Sequence, residues 1–292
     1  MVFVEQTYSY VNGELVLSEQ ATVSVFDHGF TVADGVFETL RFESGSVFAV
    51  DLHLQRLARS AQGLGIASPD LKTLHRAIDQ VAKANSHVAN GRMRITVTSG
   101  RGPLGSDRLS EKQTLVVSVA EQKAWGKSSE LLVVPWIRNE LSPLVSFKTT
   151  SYAENVYALD AALKHGFSEA IFLNSHGLLT EGTGSNLFIV KSGQILTPRI
   201  ENGLLPGITR QLVIDWVSPN LELREVDLTQ SDLFSADEIF ITSSTRNVHP
   251  VSRIAQLTAD LKVNSEKTLN TGIVTSEVVS IFNKNSKEQV NP

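Results

Sequence analysis

Short strand-like runs and helical repeats follow one another along this 292-residue chain without strict strand–helix–strand alternation. That order favours an α+β architecture over a doubly wound parallel sheet. The run from Thr7 to Val11 meets Asn12-Gly13, a strong hairpin signal. Val47–Val50 is strand-like, Asp51 reads as a helix cap, and Leu54, Leu57, Ala58, Ala61 and Leu64 follow at helical spacing before a stop at Gly65. A second helix is expected over 71–84. Strands are expected over 93–98 and 114–120, on either side of the glycine-rich loop 99–105. The polar stretch 121–129 reads as a linker between a smaller N-terminal domain, 1–120, and a larger one, 130–292, that carries Lys148.

Beyond the linker, 131–135 reads as a strand. Residues 151–165 read as a helix with Val156, Leu159 and Leu163 on its apolar side and Gly166 as its stop. Strands over 170–174, 186–190 and 238–242 follow, with turns at His176-Gly177 and Ser192-Gly193. Ile208, Leu212, Val213 and Trp216 mark another helix, closed by Pro219. The polar end, 283–292, reads as frayed. No internal repeat is visible.

Composition narrows the function. A net charge of −5 without a basic stretch argues against nucleic-acid binding. The absence of cysteine removes disulfides, thiolate metal sites and cysteine nucleophiles. The histidines and carboxylates show no metal-ligand spacing, so no metal is expected. His28 reads as structural, and Ser185 lies in no nucleophile-elbow pattern. No apolar run approaches the ~18 residues of a membrane span, and the opening residues, Met1 to Gln6, do not read as a secretory signal. The expected setting is cytoplasmic.

Three segments carry chemistry. Lys148 follows the apolar run Leu144-Val145-Ser146-Phe147 and precedes a helix. A lone lysine is ordinarily a solvated charge, but this one stands where a buried segment ends. Thirty-three residues after Lys148 comes Glu181, in the turn-rich stretch Thr180-Glu181-Gly182-Thr183-Gly184-Ser185-Asn186. Pro206-Gly207 then opens a helix whose first N–H groups, on Ile208 and Thr209, are available to an anion. A lysine can form a Schiff base, a carboxylate can hold a pyridine nitrogen protonated, and a helix start can hold a phosphate. Together they look like a site for pyridoxal 5'-phosphate.

These segments resemble the class IV aminotransferases, a family that includes branched-chain aminotransferases, D-amino-acid transaminases, (R)-selective amine transaminases and aminodeoxychorismate lyases. The family pattern is matched by Glu181, Asn186-Leu187-Phe188, Thr197, Gly207-Ile208 and Arg210. Similarity extends from Asp27-His28-Gly29 through Ala33–Glu38 to Thr245. The resemblance implies two α/β domains of the fold type IV kind, with the cofactor between them, in a homodimer. It implies that Lys148 carries the cofactor's aldehyde and moves the proton of the substrate. It assigns Glu181 to the pyridine nitrogen, Tyr152 to the phenolic oxygen, and Arg56, Ile208, Thr209 and Ser244 to the phosphate. On a helical wheel Arg56 lies opposite the leucine stripe, where it would otherwise be read as a solvated arginine.

Substrate recognition is less legible. An amino acid substrate needs a cation or donors for its carboxylate. Arg101, in the Gly-Pro-rich loop, is the first candidate, with Arg94, Arg138 and Thr245 behind it. Phe37 stands where D-amino-acid transaminases have a carboxylate-binding tyrosine. The resemblance implies a transaminase acting between an amine or amino acid (D- or R-configured, or branched-chain L) and a keto acid. The alternative is aminodeoxychorismate lyase, which releases 4-aminobenzoate and pyruvate. A third reading is a pyridoxal-phosphate carrier without turnover.

Overall fold

The structure, a computed structural model, describes residues 6–108 and 112–292. Met1–Glu5, part of the opening stretch read above, lies outside the described residues. The chain forms two compact units. One comprises Met1–Ala124, Phe147–Ser151 and Val290–Pro292, and the other Trp125–Ser146 and Tyr152–Gln289.

The first unit contains β1 (Tyr8–Val11), β2 (Glu14–Leu17), α1 (His28–Thr31), β3 (Gly35–Glu43), β4 (Ser46–Val47), α2 (Val50–Gly63), α3 (Leu71–Ala84), β5 (Gly91–Thr98) and β6 (Thr114–Glu121). Its six strands form an antiparallel sheet in the order β2-β1-β6-β5-β3-β4. Asn12 and Gly13 turn the first hairpin with φ of 52° and 115°, values that favour these two residue types. Alternation puts Val36, Leu40 and Phe42 of β3 with Met93, Ile95 and Val97 of β5 against Leu54, Leu57 and Ala61 of α2 and Leu74, Ile78 and Val81 of α3. Glu38 falls in that same apolar row of β3. The helix α3 starts as its sequence dictates, with Asp70 accepting from the N–H groups of Lys72 and Thr73.

The start of α2 differs from the expected cap at Asp51. Ala49, at φ 56°, occupies the cap position. Its N–H donates to the Val290 carbonyl at 2.8 Å. Asp51 instead sits in the first turn, where its carboxylate accepts from Asn291 at 2.7 Å. The terminal residues are thus tied down rather than frayed.

The second unit contains β7 (Ser129–Ile137), α4 (Ala153–Lys164), β8 (Glu169–Leu173), β9 (Leu179–Gly182), β10 (Asn186–Lys191), β11 (Gln194–Pro198), α5 (Ile208–Val217), β12 (Leu223–Val226), α6 (Gln230–Ser235), β13 (Glu238–Ser243), β14 (Asn247–Leu257), β15 (Val263–Thr268) and α7 (Ile273–Glu288). Its nine-stranded sheet runs β12-β11-β10-β13-β14-β7-β8-β9, with β15 on β14. Since β9 also pairs with β10, the strands from β10 round to β9 close on themselves. Leu131, Val133, Ile171, Leu187, Ile189, Ile239, Ile241 and Ile254 fill the interior. The helix α7 runs through most of the segment expected to fray and buries Phe282 and Ser286. Among the described residues no helix is long and apolar enough to cross a membrane.

Two further expectations change. The apolar side of α4 faces outward, with Val156 65% and Leu163 58% exposed. The helix packs instead through Ala158 and Ala162, which lie in a cluster with Leu132, Val134, Ala170 and Phe172. Small residues let it approach the sheet closely. The expected boundary also put Lys148 in the C-terminal domain, whereas Phe147–Ser151 belongs to the first unit. The reason is backbone pairing: Phe37 N–H donates to the Lys148 carbonyl at 3.0 Å, and Thr150 N–H to the Gly35 carbonyl at 2.8 Å.

Candidate active site

The helix α2 presents His53, Arg56 and Ser60 along one stripe, at spacings of three and four, and all three are buried. The stripe meets β3 and the Lys148 segment. Arg56 Nε donates to Glu38 Oε1 at 2.8 Å and its Nη2 to Oε2 at 2.7 Å. His53 Nδ1 lies 2.7 Å from Glu38 Oε2. The Ser60 hydroxyl accepts the Lys148 N–H at 3.1 Å. Arg56 is only 4% exposed. The helical-wheel reading of a solvated arginine fails because β3 covers that side of the helix with a carboxylate.

Burial pushes the Glu38 carboxyl up. The Arg56 guanidinium outweighs this, with help from His53, and holds the group at about 2. Burial pushes His53 down; Glu38 opposes the shift, while the Arg56 and Lys148 charges add to it. The His53 ring is therefore neutral at pH 7, with its proton on Nδ1 toward Glu38. The sequence marked Glu38 only as part of the resembling stretch, with no role at the site, and did not mark His53 at all. The available signal was the buried polar stripe at helical spacing, together with a glutamate in the apolar row of β3.

Phe37 is buried beside this cluster. The Arg94 guanidinium stands 3.4 Å from its ring centroid and Lys148 Nζ 4.4 Å from it, so two cations share one aromatic ring. Arg101 is exposed, and its backbone bridges to Asp27. The loop around it is anchored by Gly102 N–H to the Phe26 carbonyl at 3.0 Å and by His28 Nε2 near the Pro103 carbonyl at 2.9 Å. His28 thus has a structural role.

In the second unit, one end of the sheet gathers a separate set. Glu181, next to last in β9, pairs across to Asn186, the first residue of β10. Asn186 pairs in turn with Thr242 of β13. Glu181 Oε2 accepts the Leu205 N–H at 3.0 Å, and Asn186 Nδ2 donates to the Leu205 carbonyl at 3.0 Å. Gly207 caps α5 against the same asparagine; a Cβ there would run into Asn186 Oδ1. Ile208 and Thr209 open α5 beside it, both buried. Ser244 and Thr245 form the turn that follows β13. Glu181, the α5 start and the Ser244–Thr245 turn therefore meet at one strand end, with Asn186 as their hub.

Tyr152 precedes α4 and is half-buried. The Arg138 guanidinium lies 4.3 Å over Phe172, is 3.3 Å from Asn155 Oδ1 and is 3.9 Å from Glu181 Oε1. It is engaged within the unit's own framework. Arg210 is fully buried, donates to the Pro198 carbonyl at 2.9 Å and pairs with Glu225, which fixes α5 against β11 and β12. Thr197 donates to the Leu187 carbonyl at 2.8 Å. Two members of the sequence pattern, Thr197 and Arg210, thus hold the framework rather than line the site.

The family profile described as Amino-transferase class IV matches residues 35–254. A Methanocaldococcus jannaschii protein, assigned by name to the branched-chain-amino-acid aminotransferases, is 37% identical over 254 residues, covering 84% of this chain and 87% of its own. The D-alanine aminotransferase of Staphylococcus epidermidis is 31% identical over 261 residues, covering 85% and 89%. The aminodeoxychorismate lyase of Bacillus subtilis is 31% identical over 254, covering 85% and 87%. Among solved structures, the branched-chain aminotransferase of the archaeon Thermoproteus uzoniensis with norvaline superposes with a TM-score of 0.84 at 27% identity, covering 98% of this chain and 98% of that one. The chain belongs to the class IV aminotransferases. It is an enzyme of that pyridoxal-phosphate-dependent class, for which amino acids and keto acids are the expected substrates.

Proposed function

We propose that this enzyme moves an amino group between an amino acid and a keto acid, with pyridoxal 5'-phosphate served by Lys148, Arg56, Tyr152, Glu181, Ile208, Thr209 and Ser244. The observation that carries the reading is the meeting of a carboxylate, a helix N-terminus and a hydroxyl-bearing turn around Asn186. This donor set fits the group. The carboxylate suits a protonated ring nitrogen, and the helix start suits a phosphate. When bound, the cofactor supplies an electron sink for the carbanion at the substrate's Cα.

The chain's own residues do the rest. Glu181, fixed by the Leu205 N–H, keeps the ring nitrogen protonated. The first N–H groups of α5 and the Ser244 hydroxyl hold phosphate oxygens, and the Arg56 guanidinium, oriented by Glu38, adds its charge. Lys148 Nζ would hold the cofactor through its aldehyde and, once released by the substrate's amine, would take the Cα proton and return it. Arg94 or Arg101, with Thr245, receives the substrate carboxylate. A homodimer belongs to the same proposal. It is supported by Val23, Val25, Phe26, Phe30 and Val32, which lie exposed within one short segment.

The named relatives favour D-alanine and branched-chain L-amino acids as donors, and the Bacillus subtilis relative keeps the lyase as the second reading. A spectroscopic donor screen separates them. A transaminase leaves its cofactor aminated after one half-reaction, so the yellow colour bleaches with donor alone. Bleaching is expected with D-alanine, a branched-chain L-amino acid or (R)-1-phenylethylamine, and recovery on adding pyruvate or 2-oxoglutarate. Failure of all donors, with catalytic release of 4-aminobenzoate and pyruvate from aminodeoxychorismate, would establish the lyase.

A further inference from the structure

Glu169, the first residue of β8, is a carboxylate almost sealed from solvent, at 1% exposure, and the proposed chemistry does not use it. It accepts from the N–H groups of Ala170 at 3.2 Å and Thr183 at 3.0 Å, and from the hydroxyls of Thr183 and of Ser185, the latter at 3.1 Å. Its remaining partner is Arg246 Nη1. Thr183 and Ser185 lie in the reversal between Glu181 and Asn186. Arg246 lies in the turn that carries Ser244 and Thr245. One buried anion therefore grips both reversals that flank the Asn186 strand end.

The Arg246 side is held from a second direction. Its guanidinium lies 4.1 Å from the Trp125 ring centroid, and Trp125 Nε1 donates to the Thr245 carbonyl at 3.0 Å. Arg246 N–H donates to the Ser243 hydroxyl at 3.2 Å, which keeps the turn tight. A buried carboxylate holds its donors firmly because no water replaces them. The planar fork of arginine can meet a carboxylate and stack on an indole at once, which lysine cannot.

We infer that Glu169 and Arg246 are a positioning pair that sets the Ser244–Thr245 turn relative to the Glu181–Asn186 reversal, and so tunes the grip on the cofactor's phosphate without belonging to its donor set. The inference rests on the cofactor reading above.

The test compares pyridoxal 5'-phosphate with pyridoxal, which lacks the phosphate. Dissociation constants for both are measured on wild type, on the double variant Glu169→Gln/Arg246→Met, and on Arg246→Lys. The double variant removes both charges at once, so no buried charge is left unpaired. Arg246→Lys keeps a cation over Glu169, and it carries the test should the double variant fail to fold. Pyridoxal phosphate affinity is expected to fall by about tenfold in the double variant, about 1.4 kcal/mol, and by about threefold in Arg246→Lys, about 0.7 kcal/mol. Pyridoxal affinity is expected to stay close to wild type. An unchanged ratio of the two affinities, whether both hold or both fall in parallel, would overturn the inference and make the pair a fold element alone. Absence of pyridoxal phosphate binding by wild type would overturn both the inference and the reading beneath it.

Discussion

Glu38 is a buried carboxylate held by three hydrogen bonds from Arg56 and His53 of α2. A glutamate in an apolar strand row is visible in the sequence, but Arg56, which neutralises it, and His53, which hydrogen-bonds to it, stand on another element. A helical wheel registers only its own helix, so Arg56 looked solvated. The pair also sets a pH dependence. The Glu38 carboxyl titrates near 4.5 in an unenclosed setting and at about 2 in the fold. The stability it contributes is therefore complete above 4.5 and is lost as pH falls toward 2. At neutral pH, Glu38→Gln leaves Arg56 buried without its counter-charge and is expected to destabilise by about 3–5 kcal/mol. Urea titrations at stepped pH should show the wild-type advantage shrinking below 4.5. An advantage that stays constant down to pH 2 would contradict the assignment.

The element on which the proposed cofactor site most depends is the start of α5. Gly207 is required by close approach: its missing side chain admits the Asn186 amide, which holds Leu205 and through it Glu181. Gly207→Ala is expected to displace Asn186 and weaken cofactor affinity at least tenfold, about 1.4 kcal/mol. Gly184→Ala, where a Cβ meets nothing within 4 Å, should bind as wild type does. Similar affinities in the two variants would remove Asn186 from its place as hub. Elements with strong local signals were legible. α3 has its cap and period, and the Asn12-Gly13 hairpin has its turn chemistry. Where packing decides, the sequence misled. The leucine and valine of α4 outweighed Ala158 and Ala162 on paper, yet the alanines face the sheet. The polar tail hid a helix that buries Phe282. The strand β15, Val263–Thr268, is exposed along most of its length and carries no alternation to read. Of the site, Lys148, Glu181 and the α5 start were marked by turns and helix starts. Asn186 was marked only as a member of the family pattern; its place as hub was not legible, because it exists through strand register.

For the whole molecule, the exposed side chains of Val23, Val25, Phe26, Phe30 and Val32 motivate the proposed dimer. Phe30, 72% exposed, and four more exposed apolar side chains within ten residues support the proposed subunit interface. Light scattering on wild type should give twice the chain mass, and Val25→Asp with Phe30→Ser should shift it toward the monomer. A wild-type monomer would contradict the dimer proposal. The proposed function rests on Lys148 as the residue that carries the cofactor. Borohydride reduction of the yellow holoenzyme, followed by peptide mapping, tests it most directly. The cofactor is expected to become fixed to the peptide containing Lys148, and Lys148→Ala neither to retain it covalently nor to turn over. Fixation to a peptide without Lys148 would contradict it.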